Sequence, residues 1–461
     1  MPASRGITRP KQAKAVRVRA TQFGAHSGFG VFGDESERAS EASGRGDRGR
    51  GLHEEHIERA VLPNGVTVLS RYLPDPDIVA ISIGSRAGAR NEDDTTAGVT
   101  KFLEKLYVQG TTRRPGPELV QRPLTIRGAG ISTVGGSEMV VFQSQVRTVD
   151  LDAMLDVVSD VVLESAFTEE RIENEARVIL EELKARRASP NVYASDLFFP
   201  AVFGDHPLAR STAGDAENTP RLTRDIIVGY RDRLVVGANT VIAVAGNLPS
   251  DEAFAHVEKF FGRMAAGTPA PPSDVPPAAS RQGRIDGQAG SSQARVMMGG
   301  PLPGLRHDDR FALSVANAVL GGSGMRLFTE IRDKRGLSYD PSPAVVQYPD
   351  AGLWMAAAGT DPVNIDTVIE ILDREIRRLS DEPLSDEDLD NARNYLDGSL
   401  VVGLETFSAQ AFQMVRDETY GVRVLSQAHR DGIKNVTKED VLRVAQTYLR
   451  PETATLVVVQ P

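Results

Sequence analysis

The chain has 461 residues, with 53 Lys and Arg against 63 Asp and Glu, a formal net charge of −10, and no cysteine. That balance argues against nucleic-acid binding, which needs a basic face for phosphates, and the missing thiols exclude disulfides, thiolate metal sites and cysteine nucleophiles. The length allows roughly two or three domains with real cores, and no apolar run approaches the roughly 18 residues of a membrane span.

Residues 1–50 are rich in Gly, Ser, Ala and Arg, carry no apolar periodicity and read as a disordered tail. Up to Gly33 they hold Arg5, Arg9, Lys11, Lys14, Arg17 and Arg19 and no acid, the composition of an organellar transit peptide, but they lack the apolar core of a secretory signal. The expected location is the bacterial cytoplasm, or the mitochondrion if this tail is a transit peptide.

Structure is expected from about Ile57. The Asn64-Gly65 pair between Leu62-Pro63 and Val66-Thr67-Val68 predicts a hairpin turn, and Val79–Ile83 a further strand. From Gly98 to Leu106 the apolar residues Val99, Phe102, Leu103 and Leu106 recur at helical spacing, which leaves Lys101, Glu104 and Lys105 on another face. Two ammonium groups four residues apart repel, a cost that grows with burial unless carboxylates lie nearby. A second helix, Thr168 to Lys184, buries Ile172, Ala176, Ile179 and Leu183 and sets Glu175 and Glu182 two turns apart on one stripe. Those acids can face the lysines; equally, both helices can carry solvated charged faces.

The sequence also repeats. Thr223-Arg224-Asp225-Ile226-Ile227 leading to Thr240–Val244 aligns, 214 positions on, with Thr437-Lys438-Glu439-Asp440-Val441 leading to Ala454–Val458. In each copy a Thr cap and first-turn acids open a helix that a β-branched strand follows. The paired prolines of Ala270-Pro271-Pro272 and Val275-Pro276-Pro277 suit neither ladder nor helix. The expected division is therefore a tail (1–50), a first domain (51–266), a Pro-rich linker (267–288) and a second domain (289–461).

The span from Leu62 to Pro461 resembles the pitrilysin/insulinase family of inverted-zincin metallopeptidases, which includes the mitochondrial processing peptidase. Its signature is a helical H-x-x-E-H and a distal glutamate. Lys101-Phe102-Leu103-Glu104-Lys105 occupies that pentapeptide, Val108-Gln109-Gly110-Thr111 its trailing turn, and Glu175 through Leu183 the distal segment. Asp205–Ala209, Leu222–Asp225, Asn239–Gly246 and Gly321–Phe328 match further family segments. The resemblance implies an α+β fold of two homologous domains, each an antiparallel sheet with helices packed on it.

It also implies a departure. Both family zinc-binding histidines correspond to lysine, and a protonated amine has no lone pair for a metal. Glu104 keeps the place of the general base and Glu182 that of the third ligand. Lys101, Glu104, Lys105, Glu175 and Glu182 are thus expected to be a degenerate metal site, in which two lysine charges replace those of Zn²⁺ and form an internal salt-bridge cluster. No cofactor is expected in this chain, and no activity by the chain alone.

Glu330 through Tyr339 resembles the family's second active-site element, in which Arg332 and Tyr339 would contact the substrate backbone and steady the reacting carbonyl. The resemblance implies a non-catalytic subunit of a heterodimeric zinc peptidase, which pairs with a homologous zinc-bearing subunit around a peptide substrate. The alternative is a structural or peptide-binding pseudoenzyme like the core subunits of respiratory complexes; a self-sufficient homodimeric peptidase is a third, weaker reading. His53-Glu54-Glu55-His56 lacks zincin spacing, Gly321-Gly322-Ser323-Gly324 fits neither a phosphate loop nor a nucleophile elbow and reads as a flexible turn at the lip of the chamber, and His206 before Pro207 is expected to organise a loop.

Overall fold

A computed structural model describes residues 57–271, 282–322 and 324–461. The expected tail, the His53/His56 pair and Ser323 lie outside the described residues. Six strands form a first sheet: β1 (Ile57–Val61), β2 (Thr67–Tyr72), β3 (Ile78–Ser85), β4 (Ile131–Gly135), β5 (Val140–Arg147) and β6 (Thr240–Gly246), in the order β1-β2-β6-β3-β5-β4. Five form a second: β7 (Gly283–Gln288), β8 (Ala294–Pro303), β9 (Ser342–Gln347), β10 (Ala351–Thr360) and β11 (Thr455–Gln460), in the order β7-β11-β8-β10-β9.

Set β1 aside and the two orders correspond strand for strand, as the repeat requires. Each sheet departs from the expected antiparallel pattern at one pair, β2 with β6 and β7 with β11, which run parallel. The reason is connectivity: β6 and β11 return after long helical excursions and insert beside the first strand of their unit, and only such a crossover can make a parallel pair.

The first half carries α1 (Val99–Leu106), α2 (Pro117–Thr125), α3 (Leu151–Glu164), α4 (Glu169–Arg187), α5 (Pro190–Phe203), α6 (Arg224–Leu234) and α7 (Ser250–Phe261). The second carries α8 (Arg310–Leu320), α9 (Ile365–Asp381), α10 (Asp386–Gly403), α11 (Phe407–Tyr420), α12 (Gln427–Lys434) and α13 (Lys438–Tyr448). The repeated threonines cap as expected: Thr223 accepts from the Ile226 N–H, and Thr437 forms a full capping box with Asp440. At the Asn-Gly turn Gly65 sits at φ 88°, and the Asn64 amide donates to the Phe261 carbonyl. Among the described residues no helix is long and apolar enough to cross a membrane.

Each sheet packs one face on helices of its own half. Phe102, Leu103 and Leu106 of α1 meet Phe142 of β5 and Val158 of α3 in the first core; Val296, Leu313 and Val368 belong to the second. The opposite faces are covered reciprocally. Ala411, Met414 and Val415 of α11 lie on Leu69, Val141 and Ala243 of the first sheet, while Phe198, Val202 and Phe203 of α5 lie on Met297, Leu353 and Val457 of the second. Contact is close enough to demand glycine: a Cβ on Gly299 would stand 2.7 Å from the Phe198 ring.

The expected linker is partly structured. Ala270 is buried and its N–H reaches Asn239 Oδ1, so the segment up to 271 lies along the first half. Gly283–Gln288 is strand β7 rather than linker; residues 272–281 lie outside the description. The halves are also pinned by charge. Arg90, just before α1, donates to Glu138 at 2.5 Å and, through both terminal nitrogens, to Asp350 of the β9–β10 turn at 3.0 and 2.7 Å.

Candidate functional site

Helix α1 begins at Gly98, whose φ of 97° needs a residue without Cβ and whose lack of a side chain leaves no cap of its own. Glu92 supplies one from the preceding loop, accepting from the Gly98 N–H at 2.8 Å and the Thr100 N–H at 2.7 Å. Burial pushes the Glu92 carboxyl up, against these hydrogen bonds. With Val99, Phe102, Leu103 and Leu106 all in the core, the opposite face of α1 turns its charges toward α4.

There Lys101 Nζ lies 2.6 Å from Glu104 Oε1 and 3.8 Å from Glu182 Oε2, and Lys105 Nζ lies 2.6 Å from Glu182 Oε1. Glu104 also accepts from the Gly135 N–H of edge strand β4 at 3.1 Å. Both amines therefore lie within salt-bridge reach of an acid. Glu175 departs from the expected cluster: it pairs with no lysine and accepts instead from Gln109 Nε2 at 2.9 Å. Burial raises its carboxyl, with Lys105 acting in the opposite sense.

The lysine side chains are 16 and 18% exposed and Glu182 is 45% exposed, so solvent screens the pairs and each contributes at most about 1 kcal/mol. A cleft of about 350 Å³ opens beside Lys101 and Glu182, walled by Arg186, Ser189 and Ala213.

The donor set does not suit a zinc ion. Ammonium groups offer no lone pair, the two nearest carboxylates are committed to them, and among the described residues no group of three or more His, Asp or Glu could hold a metal.

Arg332 and Tyr339 come together. Arg332 lies in a π-helical turn, Phe328–Asp333. Its guanidinium carbon is 4.5 Å from the centre of the Phe328 ring and 4.4 Å from that of Tyr339, which is 83% exposed. Among the described residues no hydrogen bond, ion pair or ring contact joins this pair to the lysine cluster. His206 organises its loop as expected, its Nδ1 accepting from the Leu208 N–H at 3.0 Å, and its Nε2 also lies 3.7 Å from Asp350.

Sequence reasoning missed Glu92, Gln109 and the Arg90–Glu138–Asp350 group. For Glu92 a signal existed: a glycine N-cap cannot satisfy its own helix, so a nearby loop acid was to be sought. No local pattern announces Asp350, which meets Arg90 from 260 residues away.

Residues 67–216 match the family described as insulinase, peptidase family M16, and residues 221–396 the peptidase M16 inactive domain. Similar chains include proteins called uncharacterized zinc proteases. One from Mycobacterium leprae is 30% identical over 401 residues, covering 85% of this chain and 89% of the relative. One from Streptomyces coelicolor is 29% identical over 415 residues, covering 88% and 89%. Among solved structures, an M16 inactive domain from Pseudomonas fluorescens superimposes with a TM-score of 0.79 at 20% identity, covering 88% of this chain and 98% of that one. A protease from Helicobacter pylori gives 0.82 at 20%, covering 88% and 99%. These likenesses show the two-domain fold.

Proposed function

The chain belongs to the insulinase family of peptidases, M16, and from that premise we propose that it is the non-catalytic subunit of a heterodimeric zinc peptidase. In this reading Lys101 and Lys105 stand where catalytic members carry the two histidines of H-x-x-E-H, Glu104 stands for the general base and Glu182 for the third ligand. Glu175 belongs to the rim of the same degenerate site. A homologous sister chain brings the zinc, and this chain brings Arg332, Tyr339 and half of the chamber around a peptide.

The observation that carries the reading is the pairing of both amines with carboxylates at 2.6 Å. Each lysine satisfies the acid that a metal site would need free, so the fold keeps the geometry of the helix pair without an ion. Arg332 supports the second part, since it is a fixed cationic donor with no acceptor of its own among the described residues.

The purified chain is expected to carry no stoichiometric zinc and to cleave no peptide. Mixed with an H-x-x-E-H partner, the complex should hydrolyse peptide, and Arg332→Ala should lower its turnover about 100-fold, the scale of losing one charge-stabilising donor, without dissociating it on a sizing column. Stoichiometric zinc in the lone chain, or chelator-sensitive hydrolysis by it, overturns the assignment. Unchanged turnover in the Arg332→Ala complex removes that residue's role.

A further inference from the structure

The cations around Arg332 have acids of their own. Glu330 takes Lys334 at 2.5 Å, Arg335 at 2.6 Å and Arg374 at 3.1 Å, which with the hydrogen bonds holds its carboxyl down at about 2. Asp340, just past Tyr339, pairs with Arg295 at 2.9 Å. Arg332 alone of this group has neither a carboxylate nor a hydrogen-bond acceptor among the described residues, and its sequence neighbour Asp333 makes no ion pair with it. The Tyr339 hydroxyl likewise makes no hydrogen bond there.

Two rings hold the guanidinium instead, by attraction of the cation to their faces. Its position is thus set without using any of its five N–H donors. The widened turn that carries it, with the Lys334 N–H reaching back to the Thr329 carbonyl at 3.0 Å, is of a kind that recurs at functional sites. A fork of N–H groups beside a free phenol can take a backbone carbonyl, and a planar group with two acceptor oxygens, which a carboxylate offers, fills more of its donors.

We propose that Arg332 and Tyr339 form a subsite for a peptide carboxylate, from a Glu or Asp side chain or from the C-terminus. The proposal rests on the reading of this pair as a substrate contact and adds the class of peptide selected. With a net charge of −10 the chain has no overall attraction for acidic peptides, so this preference arises locally, at a cation that has no acid of its own among the described residues.

The test is fluorescence anisotropy of the full chain with one short labelled peptide in three forms: amidated with a central Glu, amidated with Gln in its place, and the Gln form with a free C-terminus. The carboxylate form that fits is expected to bind about tenfold more tightly than the amidated Gln form, and which of the two arms shows the gain identifies the source. Arg332→Gln should bring the three affinities together, Arg332→Lys should keep part of the difference, and Tyr339→Phe should reduce it while retaining the ring. The lysine variant serves if the glutamine variant does not fold. Equal affinity for all three peptides, or binding of none, overturns the proposal. If Arg332→Ala still slows the mixed complex in that case, the pair touches peptide without reading its charge, and the subunit assignment stands.

Discussion

Asp417 and Asp350 are both buried carboxylates that move in opposite directions. Burial lifts Asp417 to about 6, although the Leu425 N–H and the Gln413 amide donate to it at 3.0 and 2.6 Å. Burial also acts upward on Asp350, but hydrogen bonds from His206 and Arg90 and the Arg90 charge outweigh it and hold the group at about 2. The difference is a cation in contact. Because Asp417 has a folded pKa above its unfolded one, its ionised form costs stability above about pH 6, and the cost fades as pH falls through 6. Asp417→Asn, which keeps an acceptor for Leu425, is therefore expected to raise stability by about 1–2 kcal/mol at pH 8, to keep about half of that gain at pH 5 and to lose most of it by about pH 4, near the unfolded pKa. Asp350 has the opposite sign: its contribution is present above about pH 4 and is lost as pH falls toward 2. Asp350→Asn should cost about 3 kcal/mol at pH 7. Urea melts at pH 3, 4, 7 and 8 check both, and a neutral-pH loss in Asp417→Asn would contradict the burial argument.

At the scale of elements, α1 depends on a residue outside itself. Removing the Glu92 carboxylate leaves the Gly98 and Thr100 N–H groups buried without an acceptor, at about 1–3 kcal/mol each. Glu92→Ala should thus speed amide exchange at Gly98 and Thr100 and loosen the lysine pairing, while amides of the central strand β6 keep their protection; unchanged exchange at the two amides would show that α1 is held by packing alone. The faces of α1 and α4, both threonine caps and the Asn-Gly turn were legible in the sequence because each rests on spacing within about one turn or one hairpin. Strand β7 was not. Its residues Gly283–Gln288 lie at a sheet edge; one face is exposed and the other covers α5 only with Ile285 and Gly287, so a single apolar side chain gives no readable alternation. The parallel pairs and the loop-borne Glu92 were hidden for a related reason: they depend on where a distant segment returns, which local periodicity does not encode. At the candidate site spacing left the charged faces of α1 and α4 open to solvent or to each other; the family resemblance brought Lys101, Lys105, Glu104 and Glu182 together and also gave Glu175 to the lysines, where the structure pairs it with Gln109.

At the scale of the whole chain, neither half covers both faces of its own sheet. Fragments 57–271 and 282–461 each retain a five- or six-stranded sheet, yet each gives its partner the helix that covers one face and leaves its own face bare. Made separately they are expected to lack a cooperative thermal transition, and to regain one when mixed, as followed by near-ultraviolet circular dichroism. A sharp transition in either fragment alone would show that the exchanged helix is dispensable. The same exchange bears on synthesis. The last strand of the first sheet ends at Gly246 and the helix that clothes it ends at Tyr420, a stretch that takes the ribosome roughly ten to forty seconds. For that interval the nascent polypeptide carries a bare sheet and an orphan α5, so chaperone occupancy should persist until the C-terminal third emerges, and a message truncated before Tyr420 yields a product for degradation rather than a working fragment.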